Sequence, residues 1–126
     1  MAVTIADDTN IYGFQKVKFT WVSATDGTAS GATTAKYTGA ILRAVFDPDA
    51  GGTQPTDQYD ITITDANGYD VLNGNGADLS NAANVYVSPI DGLGAVYGSL
   101  LTLNVSNAGE AKGGVVELYI VGLGKA

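Results

Sequence analysis

Apolar residues recur at every second position along most of this chain, and that alternation is the strongest constraint on its fold. In Lys16-Val17-Lys18-Phe19-Thr20-Trp21-Val22, the residues Val17, Phe19 and Trp21 fall on one side while Lys16, Lys18 and Thr20 fall on the other. Tyr59, Ile61 and Ile63 repeat the pattern, as do Leu101, Leu103 and Val105, and then Val116, Leu118 and Ile120. A period of two puts successive side chains on opposite faces of a pleated strand, so these four segments read as half-buried strands. The run Ala40 to Phe46 is more continuously apolar and reads as a central strand covered on both faces, while Val85 to Val87 reads as a short strand closed by Ser88-Pro89. Tyr69 to Leu72 reads as the return strand of a hairpin whose turn is Asn67-Gly68, a pair suited to positive φ.

No window sustains a 3.6-residue period. Gly92 to Leu101 and Ala77 to Ala83 are the best helical candidates, and the first is broken by Gly94 and Gly98. Short helical turns are the most that is expected. Polar, Gly-rich connectors at 26–35, 47–58 and 73–84 separate the strands, and strands of one type continue on both sides of each, so none reads as an interdomain linker. The expected fold is all-β: a single antiparallel β-sandwich or flattened barrel, jelly-roll-like, of six to eight strands over residues 1–126, with 1–11 as an extended arm. Its core is expected to hold Val17, Phe19, Trp21, Leu42, Phe46, Ile61, Ile63, Leu101, Leu103, Val105, Leu118 and Ile120.

Composition narrows the chemistry. The 126 residues include no Cys and no His, which removes thiol nucleophiles, disulfides, the usual zinc sites and His-based proton relays. Six Lys and Arg against 13 Asp and Glu give a net charge of −7. A nucleic-acid partner or an anionic membrane surface requires a basic face, so neither is expected. No apolar run approaches the length of a membrane helix, and the first eight residues lack the basic and apolar regions of a signal peptide.

The acids invite a search for catalysis or metal binding. Asp60 sits on an outward strand position, and Asp65 and Asp70 bracket a turn, which suits ordinary turn and edge carboxylates better than a facing catalytic pair. The Asp65 to Asp70 stretch resembles the start of a calcium loop, but its twelfth position is Gly76 where a bidentate Glu belongs. The glycine-rich 74–77 and 92–94 lack the Lys and Ser or Thr of a phosphate cradle. With only lysine left as a base, no nucleophile is activated, and the chain is read as non-enzymatic, with no cofactor and no metal. The last strand is apolar on both faces apart from Glu117, so it is either central in its sheet or covered by a neighbouring chain. Tyr69, Tyr86 and Tyr97, with the Asn-rich loop 73–84, form an alternative aromatic surface suited to a sugar.

From about Thr56 onward the chain resembles a group of small tailed-phage virion proteins. The resemblance is carried by Tyr59-Asp60-Ile61-Thr62-Ile63-Thr64-Asp65, by Asn67-Gly68-Tyr69-Asp70-Val71-Leu72, by Leu101 to Gly109 and by Lys112-Gly113-Gly114-Val115-Val116-Glu117-Leu118-Tyr119. These are strand-and-turn strings covering roughly half the chain. The resemblance implies a capsid-associated structural protein of the virion, assembled in the cytoplasm of a bacterial host. Its partners would be the major capsid protein or other virion subunits, and it would act as a head decoration or cement protein, as a homo-oligomer such as a trimer. Candidate contact residues are Tyr119 and Val121 on the last strand, Ile11 and Tyr12 at the end of the N-terminal arm, and Pro48 and Pro55 in the 47–58 loop. Two alternatives stand beside this reading: a receptor- or carbohydrate-binding module of a tail or fibre, and a tail-tube or connector subunit.

Overall fold

A computed structural model describes the backbone of residues 2–9 and 13–125 and the side chains of residues 2–7 and 13–122. The described chain forms nine strands: β1 (Ala2–Thr9), β2 (Phe14–Val22), β3 (Ala29–Ala32), β4 (Tyr37–Pro48), β5 (Asp60–Thr64), β6 (Val85–Val87), β7 (Ala95–Ser99), β8 (Thr102–Ser106) and β9 (Gly113–Lys125). Two three-residue 3-10 turns, at Gly51–Thr53 and Pro89–Asp91, are the helical content among the described residues. The fold is therefore all-β, as the period of two requires, with one strand more than the expected range.

Six strands form the larger sheet in the order β1-β2-β9-β4-β6, with β7 beside β6 along the same edge of β4. Three form the smaller sheet, β3-β8-β5, and every pairing is antiparallel. The inward faces meet in one core. Val17, Phe19, Trp21, Ile41, Phe46, Val116, Leu118 and Ile120 come from the larger sheet, while Ile61, Ile63, Leu103 and Val105 come from the smaller. On one side β1 curls onto β3, where Gly31 is a necessity: a Cβ there would lie 2.7 Å from the Val3 Cβ. On the other side the 70–79 segment lies along β5, donating Val71 N–H to Ile63 O at 2.8 Å and accepting Ile61 N–H at Gly76 O at 2.7 Å. Both sides of the sandwich are thereby closed, and the open edge of β5 is shielded from further pairing.

Four expectations are corrected. Within the expected arm 1–11, the described Ala2–Thr9 is strand and not a free arm: it pairs along its whole length with β2, with Val3, Ile5 and Asp7 opposite the inward Trp21, Phe19 and Val17. Tyr69 to Leu72 is no return strand. A single bridge joins Thr64 to Asp70, and the Asp70 carboxylate then accepts the amides of Ile63, Leu72 and Gly74 at 3.1, 3.1 and 2.9 Å, folding the chain into turns. Within the helical candidate Gly92 to Leu101, Ala95–Ser99 forms β7, since β4 offers it a ladder. Eleven of the twelve expected core residues are buried, and Leu42 is the exception. The β4–β9 register slips between Ile41 and Arg43, so Leu42 is the extra residue of a β-bulge and turns outward.

The bulge makes a sharp contrast between neighbours. Ile41→Ala, which empties a fully packed core position, is expected to cost about 2–5 kcal/mol, whereas Leu42→Ala, on the outer surface, is expected to stay within about 0.5 kcal/mol. Urea unfolding midpoints of the two variants check this, and equal losses would remove the bulge from the account.

Candidate functional site

The outer face of the larger sheet carries the side chains that alternation leaves over from the core, exposed or half-buried apart from the buried Val45. β2 contributes Phe14, Lys16 and Lys18; β9 contributes Glu117, Tyr119 and Val121; β4 contributes Arg43 and Val45; β6 contributes Tyr86. Two rows follow from the register. Lys16, Tyr119 and Arg43 stand side by side, and so do Lys18, Glu117, Val45 and Tyr86.

Arg43 is the centre of this face. In an unbroken strand the residue two beyond Ile41 would point into the core. The Leu42 bulge shifts the register by one and delivers Arg43 outward, opposite Tyr119. Its guanidinium carbon lies 5.1 Å from the centre of the Tyr86 ring and 5.6 Å from that of Tyr119. Each such contact contributes about 0.5–1 kcal/mol at an exposed site. Phe14 extends the aromatic strip, with its ring 6.4 Å from Tyr119. Glu117 is engaged elsewhere, with Lys16 Nζ at 3.3 Å and the Tyr119 hydroxyl donating to it at 3.4 Å. Phe14, Leu42 and Val121 are 36–38% exposed, and Tyr86 reaches 59%. The face is thus a cation held between aromatic rings, with an apolar margin and lysines beside it.

The residues expected to form contacts divide. Tyr119 and Val121 lie on this face, and β9 is central in its sheet, so its apolar character is explained first by β2 and β4 on either side. Ile11 and Tyr12 fall outside the described residues. Pro48 ends β4 and is half-buried. Pro55 is buried, with its carbonyl accepting the Asn81 amide at 3.0 Å, so its ring packs within the fold. Tyr69 and Tyr97 are exposed, as a sugar platform needs, but two Asn of the 73–84 loop spend their amides internally: Asn75 donates to Leu72 O and Asp91 O, both at 2.8 Å, and Asn81 to Pro55 O at 3.0 Å. Phe14, Lys16, Leu42 and Arg43 were not anticipated. The available signal was Arg43 itself, a cation in the middle of an apolar run, which a regular strand covered on both faces does not tolerate.

The acids elsewhere serve the backbone. Asp65 accepts the amides of Asn67 and Tyr69 at 2.9 and 3.0 Å, and Asp60 accepts that of Asp78 at 2.9 Å. The Asp65 bonds are those of its own turn, whereas Asp60, at the start of β5, ties down the distant Asp78 and Asn107. Among the described residues no group of three or more His, Cys, Asp or Glu gathers as a metal site. No helix of the structure is long and apolar enough to cross a membrane.

The interior holds polar atoms that the fold does not satisfy. Both amide atoms of the fully buried Gln15, the Trp21 indole nitrogen and the Tyr59 hydroxyl lack hydrogen-bond partners. Burial, with the nearby charge of Asp47 as a smaller cause, pushes Tyr59 from 10.0 up to about 12. Tyr37 is also raised, by burial first and then by its 2.9 Å bond to the Asp7 carboxylate. Both phenols are held neutral by the fold. Their contribution is present below the unfolded value near 10 and is lost as the pH climbs through the folded value.

Two outcomes follow from this interior. Gln15→Met removes an unsatisfied amide while keeping the shape, and is expected to raise stability by about 1–3 kcal/mol in urea unfolding. In an alkaline titration followed by phenolate absorbance, wild-type stability is expected to fall between pH 10 and about 12, and Tyr59→Phe is expected to reduce that fall; an unchanged profile in the variant would contradict the burial of this phenol. Comparison of the chain with protein-family models, with curated proteins and with solved structures returned no match, so the reading of the outer face rests on its own residues.

Proposed function

We propose that this chain is a non-enzymatic structural protein of a tailed-phage virion, which docks on the assembled capsid through the outer face of its larger sheet, as head decoration proteins do. The observation that carries this reading is the Phe14–Tyr119–Arg43–Tyr86 cluster on the outer face of the larger sheet. Tyr and Arg are the residue types that most often dominate the energy of protein interfaces, and a sheet face presents them at fixed spacing. The partner would be the major capsid protein or another virion subunit, and the location the virion. Many copies on a repeating shell would turn modest individual contacts into a firm hold. The net charge of −7 keeps free copies apart before assembly.

A second reading is favoured by a separate observation. Tyr69 and Tyr97 are 70% and 89% exposed. The turn containing Tyr69 is tied to β7 by the Ala66 amide, which donates to Ser99 Oγ at 2.7 Å. Two rings on neighbouring segments suit stacking on a sugar, which would make the chain a carbohydrate-binding module of a tail or fibre.

The docking reading is tested on particles. Antibodies to the purified chain are expected to label the heads of virions of the encoding phage. Purified protein is expected to co-sediment saturably with shells stripped of it. The Tyr86→Ser, Tyr119→Ser double variant is expected to lose roughly tenfold or more in shell affinity, with its circular dichroism unchanged. Absence from the particle would sink the docking reading, and glycan-array binding lost on Tyr97→Ala would install the second.

A further inference from the structure

We propose that Asn67, at the tip of the turn after β5, is a site of spontaneous modification: the Gly68 backbone nitrogen displaces its side-chain amide, and the turn that presents Tyr69 is remodelled as the chain ages. Asn-Gly occurs three times within residues 67–76, at 67–68, 73–74 and 75–76. A glycine after asparagine leaves the attacking nitrogen uncovered, because no Cβ stands beside it. Local sequence treats the three pairs alike, so the fold has to separate them.

Asn67 has the least to give up. Ala66, Asn67, Gly68 and Tyr69 are all exposed. The Asn67 side-chain amide has no hydrogen-bond partner among the described residues. A Cβ added at Gly68 would meet nothing within 4 Å, so a ring has room to close there. The Gly68 N–H makes one exposed turn bond, to the neutral Asp65 carbonyl at 3.0 Å. The other two pairs are held. The Asn75 amide donates to Leu72 O and Asp91 O, both at 2.8 Å, and Gly76 is buried against Ile61 O, into which a Cβ would collide. Asn73 is exposed and Gly74 has room, but the Gly74 N–H donates to the Asp70 carboxylate at 2.9 Å. Taking the proton from that nitrogen would set a negative charge against a carboxylate. The Asn73 side chain also packs over Gly92.

The chemistry needs only water. The deprotonated Gly68 nitrogen bonds to Asn67 Cγ, the Cγ–Nδ2 bond breaks, and the amide leaves as ammonia. Water then opens the cyclic imide at either carbonyl. One opening gives aspartate at position 67; the other gives isoaspartate, whose side-chain methylene becomes part of the backbone. Asp65 grips both sides of this position, accepting the Asn67 and Tyr69 amides at 2.9 and 3.0 Å. A backbone lengthened between those two amides cannot keep both bonds in register, so the isoaspartyl form releases Tyr69, a ring that is 70% exposed.

The test incubates the full folded chain at mildly alkaline pH. Chymotryptic cleavage after Tyr59 and Tyr69 places Asn67 in fragment 60–69, apart from Asn73 and Asn75. Relative to an unincubated control, fragment 60–69 is expected to gain the mass of amide-to-acid conversion and to split into aspartyl and isoaspartyl forms. Its conversion is expected to outpace that of Asn73 and Asn75 roughly tenfold or more, the ratio set by one additional hydrogen bond to a charged group or a second amide bond. In the urea-unfolded chain the three sites are expected to convert at similar rates. Equal rates in the folded chain, faster conversion at Asn73 or Asn75, or a preference for Asn67 that persists in urea would each overturn the proposal. The isoaspartyl chain, isolated by anion exchange, is expected to exchange its Tyr69 amide roughly tenfold faster than the unconverted chain, while Leu118 in the core keeps its protection. An Asn67→Asp variant adds the charge without the methylene and is expected to retain the Tyr69 protection. Unchanged exchange at Tyr69 in the isoaspartyl chain, or equal loss in Asn67→Asp, would overturn the remodelling of the turn.

Discussion

One extra residue in β4 governs which side chains this protein shows to its surroundings. Strand pairing forces an alternation of faces, and the pairing of Ile41 with Ile120 places Ile41 in the core. Unbroken alternation from there would bury Arg43, and an unpaired guanidinium in that interior would cost several kcal/mol. The bulge at Leu42 resets the phase, so that Arg43 emerges outside and Ala44 and Phe46 return to the core. The same slip sets Arg43 beside Tyr119, and the pairing of Val45 with Tyr86 brings the second ring to its other side. The cluster on the outer face is a consequence of backbone register before it is a consequence of side-chain attraction.

The rest of the fold holds that register in place. β4 is wedged between β9 and the pair β6 and β7, so its ladder is constrained on both sides. Close backbone approach tightens the far end, where a Cβ on Gly122 would lie 2.5 Å from Gly39 Cα. The loops are organised by carboxylates that accept amides from their own turns, which leaves the long connectors ordered without helices. Asp70 is the clearest case, because its side chain does for three amides what a second strand of a hairpin would have done. The acidity of the chain thus has two physical roles: local capping of turns and a negative outer field.

What could be read from the sequence follows from what is local. The period of two is a local signal, and it identified the strands around Phe19, Ile61, Leu103 and Leu118 together with the residues they bury. Pairing partners and register are not local. The reach of β1 along β2, the shift at Leu42 and the burial of Pro55 under Asn81 depend on segments distant in the chain. The hairpin around Asn67-Gly68 was half legible. The turn forms, with Asp65 and Tyr69 bonded across it at 3.0 Å, but the returning segment is captured by the Asp70 side chain rather than by a ladder. Tyr119 and Val121 could be singled out because an apolar residue facing outward conflicts with the pattern. Arg43 raised the opposite conflict, a charge in an apolar run, and resolving it required the register.

The unsatisfied interior atoms bear on how such a chain can carry a surface-binding role. Gln15, Trp21 and Tyr59 bury polar atoms without partners, Gln15 and Trp21 on inward positions of β2 and Tyr59 just before β5. Trp21 and Tyr59 pack ring against ring at 5.8 Å, so their apolar bodies supply core volume at the cost of two unpaired polar atoms. A sandwich closed on both sides can carry that cost, because its stability comes from many core residues drawn from both sheets. The outer face is then free of any structural duty beyond strand pairing. Its aromatic rings and guanidinium contribute little to holding the sheets together, which leaves their chemistry to be set by whatever meets them.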